Sequence, residues 1–207
     1  MNQEKTSSLV KMALLTAIII VLTVTPLGFI PLGFMWATTI HIPVILGSIL
    51  LGPKRGAVLG LVFGLSSMIK ATITPVVTNF VFSPFYSVGE THGNFWSIVV
   101  SLVPRILVGV VPYYVYKLVK KMNGKENLAL SLAGFAGSMT NTLLVMNFIY
   151  LFFGRAYAAA NNAAFEGFYG AIVSAIFING VPEAILATII TCLIVKVLQK
   201  VEKHSVA

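Results

Sequence analysis

The chain has 207 residues, of which 57% are hydrophobic and 10% charged, against about 45–50% and about 25% in soluble domains. That excludes a soluble globular fold and a disordered chain, and the single cysteine, Cys192, excludes a disulfide scaffold, leaving a multi-pass membrane protein. A spanning helix takes roughly 20 apolar residues, so residues 1–207 hold about six spans as one membrane domain, with no room for a soluble catalytic unit.

Six apolar stretches, separated by polar or turn-rich punctuation, predict an all-α bundle of six transmembrane helices near 8–24, 36–51, 56–71, 95–121, 128–153 and 169–200. No A-x-A-like cleavage site follows the first apolar core, so it is read as a retained helix rather than a signal peptide. Within it, Ala13-Leu14-Leu15-Thr16-Ala17 puts small residues four apart, a face on which another helix can pack closely, inside the bundle or from outside it. The second and third helices, at ~24 Å each, fall short of the ~30 Å hydrocarbon core, which predicts connections dipping toward the membrane. Gly47, Gly56, Gly60 and Gly64 offer small faces for packing within the bundle. Pro43, Pro104, Pro112 and Pro182 lie inside apolar runs and predict kinks. The second and fourth of these immediately precede Arg105 and Glu183. Cys192 reads as apolar filler.

The net charge of +8 describes topology better than a nucleic-acid surface. Eleven of the 14 basic residues fall at the N-terminus, in the second and fourth connections and in the C-terminal tail. The positive-inside rule therefore puts both termini on the cytoplasmic side of a cell membrane. The opposite connections, 25–35, 72–94 and 154–168, hold Arg155, with Lys70 at their edge. Residues 25–35 read TPLGFIPLGFM, and 72–94 carry Pro75, Phe80, Phe82, Pro84, Phe85, Tyr86, Glu90 and His92. Such loops either cover a pocket or anchor at the interface through their aromatics. No internal repeat suggests an inverted-repeat carrier.

Ionisable groups at membrane depth are candidates for function. Arg105 lies ~15 Å into the fourth helix and Glu183 ~20 Å along the sixth, near one depth, so they are expected to pair. Either the pair is structural, or Arg105 also reads an anion, since a guanidinium fork fits a carboxylate. Further polar residues gather in the same half: Thr38, Thr39 and His41; Ser66, Ser67 and Lys70; Asn147, with Asn141 deeper; and Asn179, which shares a helix face with Glu183 at i, i+4. Each Ser, Thr or Asn would equally serve helix–helix hydrogen bonding, and Lys70 would equally snorkel to the interface. The inner halves are aliphatic, so a polar pocket open to the outside is expected. No metal site is expected, because His41 has no partner at ligand spacing. No catalytic residue is expected either: the chain lacks a phosphate loop, H-E-x-x-H, C-x-x-C and G-x-S-x-G, and it contains no Asp.

Residues 25–67, TPLGFIPLGFMWATTIHIPVILGSILLGPKRGAVLGLVFGLSS, resemble the substrate-binding S components of energy-coupling-factor vitamin transporters, and the likeness extends over nearly the whole chain. Thr25–Pro31, Ala37–Pro43 and Phe82–Phe85 look most like the pantothenate type; pyridoxine and hydroxymethylpyrimidine members look similar. The resemblance implies capture of a vitamin from outside and docking through Ala13 and Ala17 onto a transmembrane coupling subunit. Two separate ATPases drive that subunit, so the chain itself uses no cofactor, and the S component topples in the membrane to release its vitamin. For pantothenate, Arg105 or Lys70 would take the carboxylate. Thr38, Thr39, Asn147 and Asn179 would serve the amide and hydroxyls, and Trp36, Phe85 and Tyr86 would cover the dimethyl portion. The competing readings are a stand-alone ion-coupled carrier and a membrane enzyme using His41 or His92.

Overall fold

In the computed structural model, residues 3–31, 36–74, 76–89, 91–161 and 164–205 are described. The chain enters through helix α1 (Gln3–Val24) and a 3-10 turn, Pro26–Gly28. Strands β1 (Phe29–Pro31) and β2 (Trp36–Thr38) then pair antiparallel, Phe29 opposite Thr38 and Pro31 opposite Trp36. Helices α2 (His41–Leu51) and α3 (Pro53–Ile73) follow. A 3-10 turn at Val77–Val81 and the small hairpin of β3 (Ser87–Val88) and β4 (Thr91–His92) lead to α4 (Phe95–Val108) and α5 (Val111–Lys121). The long α6 (Glu126–Ala160) precedes α7 (Phe168–Ala175), a π-helical turn at Ile176–Gly180, and α8 (Val181–Ser205).

Among the described residues, five helical stretches are long and apolar enough to cross a membrane: 5–24, 53–73, 95–121, 126–160 and 165–198. The remaining helix, α2, is ~16 Å long, too short to cross the core by itself. It lies inside the bundle, with every residue from His41 to Ser48 buried. The chain is thus an all-α membrane bundle. Helix α3 packs against α4, α6 against α5 and α8, and α2 contacts both α3 and α6.

Prolines explain where the elements break. The second helix was expected from 36 but starts at His41. Pro43 has no N–H and is tolerated only in a first turn, while Trp36–Thr38, aromatic and β-branched, suits a strand. Likewise the expected helix 95–121 is two helices, because Pro112 occupies the second position of α5, and Pro182 occupies the second position of α8. Pro43 and Pro112 start helices rather than kink them; Pro104 sits within α4, and Pro182 lies inside the continuous helical stretch 165–198, just after its π-helical turn. The turn from α2 into α3 uses Gly52 at φ 89°, a left-handed conformation favourable only to glycine, followed at once by Pro53 as the first residue of α3. Asn94 caps α4: its side chain accepts from the Trp96 N–H at 2.9 Å, and Ser97 Oγ accepts from the Asn94 N–H at 3.0 Å.

Glycines set the α3–α4 distance. A Cβ on Gly56 would run into the Gly109 carbonyl, and one on Gly60 into the Arg105 carbonyl. The small face expected along Gly56, Gly60 and Gly64 is therefore used inside the bundle, and it fixes the backbone of Arg105 against α3. Two apolar clusters flank this contact. One joins Ile19, Val44, Ile45, Leu59, Phe63, Leu130 and Val195; the other joins Phe80, Val81, Val100, Val145, Ile149 and Phe153.

Candidate ligand cavity

A cavity of about 430 Å³ lies where these helices converge, within the ~300–1,000 Å³ usual for small-molecule sites. Its walls come from the end of α1, from β2, from α3, from the turn after α3, and from α4, α6, the π-helical turn and α8. Most of these contribute residues close to the connections 25–40 and 74–94, at the end of the bundle opposite the Gly52–Pro53 turn.

Arg105 dominates one side. The residue is only 7% exposed, and its guanidinium lies 5.5 Å from the Phe63 ring centroid and 5.3 Å from that of Phe82, both within cation–π range. Nη1 donates to the Val100 carbonyl at 2.7 Å. Nε is buried and makes no hydrogen bond among the described residues. A buried donor without an acceptor is costly, and Arg105 carries one on the cavity wall.

Glu183 stands on another wall, 9% exposed. Its Oε1 accepts from the Thr38 backbone N–H at 2.9 Å, which ties α8 to the strand pair. The expected ion pair with Arg105 does not form: each of the two takes its own backbone partner, and both face the same cavity. Asn141 on α6 and Asn179 in the π-helical turn line the same cavity, each with a buried Oδ1 that has no hydrogen-bond partner among the described residues. Gly180 lets this turn approach α6, for a Cβ there would come 2.6 Å from Thr142 Cγ2. Lys70 reaches across to donate to the Thr23 carbonyl at 2.7 Å. Phe63, Phe82, Ile40, Val145 and Met146 supply apolar surface. The lining thus combines a buried cation, a carboxylate, amides and apolar side chains around one small-molecule-sized space.

A family model described as the substrate-specific component of the ECF transporter matches residues 7–195. The chain belongs to this family of ECF substrate-specific components. One relative, the pantothenic acid transporter PanT of Lactococcus lactis subsp. cremoris, is 44% identical over 169 residues, covering 81% of this chain and 80% of its own. The pantothenate transporter PanT of Leuconostoc mesenteroides subsp. mesenteroides is 32% identical over 153 residues, 70% of this chain and 69% of its own. The crystal structure of the S-component for biotin from an ECF-type ABC transporter shares the fold, with a TM-score of 0.53 at 20% identity over 95% of this chain and 94% of that one. These relatives are transport proteins rather than enzymes.

In this ECF component the ten residues expected at the site divide. Thr38, Lys70, Arg105, Asn179 and Glu183 line the cavity. Thr39 does not: its Oγ1 donates to the Leu27 carbonyl at 2.9 Å and braces the loop after α1. His41 is 1% exposed, within the inner face of α2, and neither ring nitrogen has a hydrogen-bond partner among the described residues. Asn147 faces outward and donates to the Leu143 carbonyl of its own helix at 2.7 Å. Tyr86 packs against the Phe80–Phe153 cluster, and Phe85, expected with it over the ligand, is 78% exposed. Trp36 takes part in β2 through its backbone, and its side chain lies outside the described residues, as does Glu90. Ala13 and Ala17 are both exposed on α1, so their small face is not used inside the bundle. No group of three or more His, Cys, Asp or Glu residues that could hold a metal occurs among the described residues.

Sequence reasoning assigned no place in the cavity to Phe63 or Thr142; it put Asn141 deeper than Asn147 among the polar residues, and Phe82 in a connection expected over a pocket or at the interface. For α6 the signal was present. Asn141, Thr142, Val145 and Met146 follow i, i+1, i+4, i+5 and share one face, whereas Leu143, Asn147 and Leu151 form an exposed stripe on another. Phe63 and Phe82 gave no such signal, because an aromatic beside an arginine is made by tertiary packing.

Proposed function

We propose that this chain is the pantothenate-capturing subunit of an ATP-driven ECF importer. The observation that carries this reading is the buried Arg105 guanidinium on a cavity wall, within cation–π range of Phe63 and Phe82 and with Nε unengaged among the described residues. Pantothenate has a carboxylate, an amide, two hydroxyls and a dimethyl group. The Nε–Nη2 edge of Arg105 takes the carboxylate with two charge-assisted hydrogen bonds. Asn141 and Asn179 serve the amide, Glu183 accepts from a hydroxyl, and Phe63, Phe82 and Val145 pack on the apolar portion. The two relatives named as pantothenate transporters support this choice of vitamin. Pyridoxine and hydroxymethylpyrimidine, which bring no carboxylate, leave the guanidinium unanswered.

The remaining roles belong to the same proposal. Both termini face the cytoplasm of a prokaryotic cell, in keeping with the basic residues at that end of the bundle. The exposed Ala13–Ala17 face of α1 docks onto a transmembrane coupling subunit, which two separate ATPases drive. The chain binds no cofactor of its own.

Calorimetry on the purified chain in detergent tests the reading against pantothenate, pyridoxine, hydroxymethylpyrimidine, folate and thiamine. Binding of pantothenate with the others silent is expected. Binding of an uncharged aromatic vitamin in its place, or silence across the panel, would refute it.

A further inference from the structure

Arg105 is held in its orientation by a hydrogen bond that an ordinary helix would not offer it. In an α-helix the carbonyl of residue 100 accepts from the N–H of residue 104. Residue 104 is proline, inside α4, and has no N–H. Val100 is fully buried, so its carbonyl, without the helical donor, needs a partner from elsewhere. Arg105 provides it: Nη1 donates to Val100 O at 2.7 Å.

The geometry of the guanidinium then follows. With Nη1 turned back along α4, the opposite Nε–Nη2 edge is the side left to a ligand. The Phe63 and Phe82 rings lie within cation–π range of the guanidinium, at 5.5 and 5.3 Å. Gly60 brings α3 directly onto the Arg105 carbonyl, so the backbone carrying the side chain cannot drift. A guanidinium edge presents two parallel donors matched to the two oxygens of a carboxylate. A primary alcohol at the same place can answer only one.

We infer that Pro104 is the positioning residue of the anion site: by withholding its own N–H it assigns the Val100 carbonyl to Arg105, and so sets the preference for a carboxylate over a neutral group. The inference rests on the pantothenate reading for its ligand, but its structural half stands on the helix alone. Replacing Pro104 by Ala restores the missing N–H and favours the helix, so Pro104→Ala folds while competing for the Val100 carbonyl.

The test joins two measurements on the full chain in detergent. The first is ¹⁵N NMR of the arginine side chains, of which the sequence has three, Arg55, Arg105 and Arg155; Arg105→Lys assigns the signal. Arg105 in the parent should show restrained Nη rotation, and in Pro104→Ala that restraint should collapse. The second is calorimetric binding of pantothenate and of pantothenol, the alcohol that lacks the carboxylate. The parent should favour pantothenate, and Pro104→Ala should lose about tenfold of that preference, the lower range for a hydrogen bond to a charged group, with pantothenol affinity unchanged. Retained restraint of Arg105 in Pro104→Ala overturns the inference, and so does an unchanged preference for pantothenate. If the restraint collapses while the parent binds neither compound, the positioning of Arg105 stands and the pantothenate reading falls.

Discussion

Replacing Arg105 is the most direct challenge to the anion site. Arg105→Lys keeps one positive charge but loses the planar fork and the Nη1 donor to Val100 O, and alters the cation–π contacts with Phe63 and Phe82. Of two charge-assisted hydrogen bonds to the carboxylate, one is lost. At about 1.5–3 kcal/mol for a hydrogen bond to a charged group, pantothenate binding weakens roughly tenfold to a hundredfold. Arg105→Gln removes the charge as well and forfeits both bonds, so the loss exceeds about a hundredfold on the same scale. Both changes take the Nη1 donor from the Val100 carbonyl, at about 1–3 kcal/mol for a buried group left unpaired, while Glu183 keeps the Thr38 N–H. A lower thermal midpoint with the fold retained is therefore expected of both. The assay is calorimetric titration of each variant in detergent, with thermal unfolding as the control for integrity. Binding by Arg105→Gln within twofold of the parent would refute the reasoning, whatever happened to Arg105→Lys.

Other expectations follow from the same geometry. Glu183→Gln weakens the hold on the Thr38 N–H by about 1 kcal/mol and loosens the strand pair, so stopped-flow measurement should show pantothenate dissociating faster. An unchanged dissociation rate would disconnect the strand pair from ligand retention. Gly60→Ala places a Cβ 2.8 Å from the Arg105 carbonyl carbon and 2.9 Å from Ile106 Cα. Overpacking against backbone costs about 1–3 kcal/mol, so the thermal midpoint should fall and pantothenate binding weaken together; a stable, fully binding variant would contradict the close approach of α3 and α4. Ala13→Trp or Ala17→Trp on the exposed face of α1 should leave pantothenate binding by the isolated chain intact and abolish uptake by cells carrying the partner subunits. Undiminished uptake would remove α1 from the docking surface.

Much of the bundle was legible in the sequence because its determinants are local. Apolar runs of spanning length, and glycines four apart on α3, set the passes and the closest helix contact. What the sequence concealed depends on chain reversal and on azimuth. Residues 36–38 continue an apolar run, and only the position of Pro43 distinguishes a strand followed by a short buried helix from one longer helix. Depth arithmetic brought Arg105 and Glu183 to one level but was silent on direction, so it implied a pair where each side chain in fact has a backbone partner. Asn147 was drawn into the site by its depth, whereas the helical period from Asn141 turns it outward. The approach of Phe63 and Phe82 to Arg105 joins α3, the turn after it and α4, a conjunction that spacing along the chain does not encode.

The central claim is that a carboxylate binds on the Nε–Nη2 edge of Arg105 inside the cavity. A structure of the chain grown with pantothenate tests it most directly. Both carboxylate oxygens should lie about 2.7–2.9 Å from Nε and Nη2, with the Val100 contact of Nη1 retained. Pantothenate bound with its carboxylate on another group, or outside this cavity, would contradict the account.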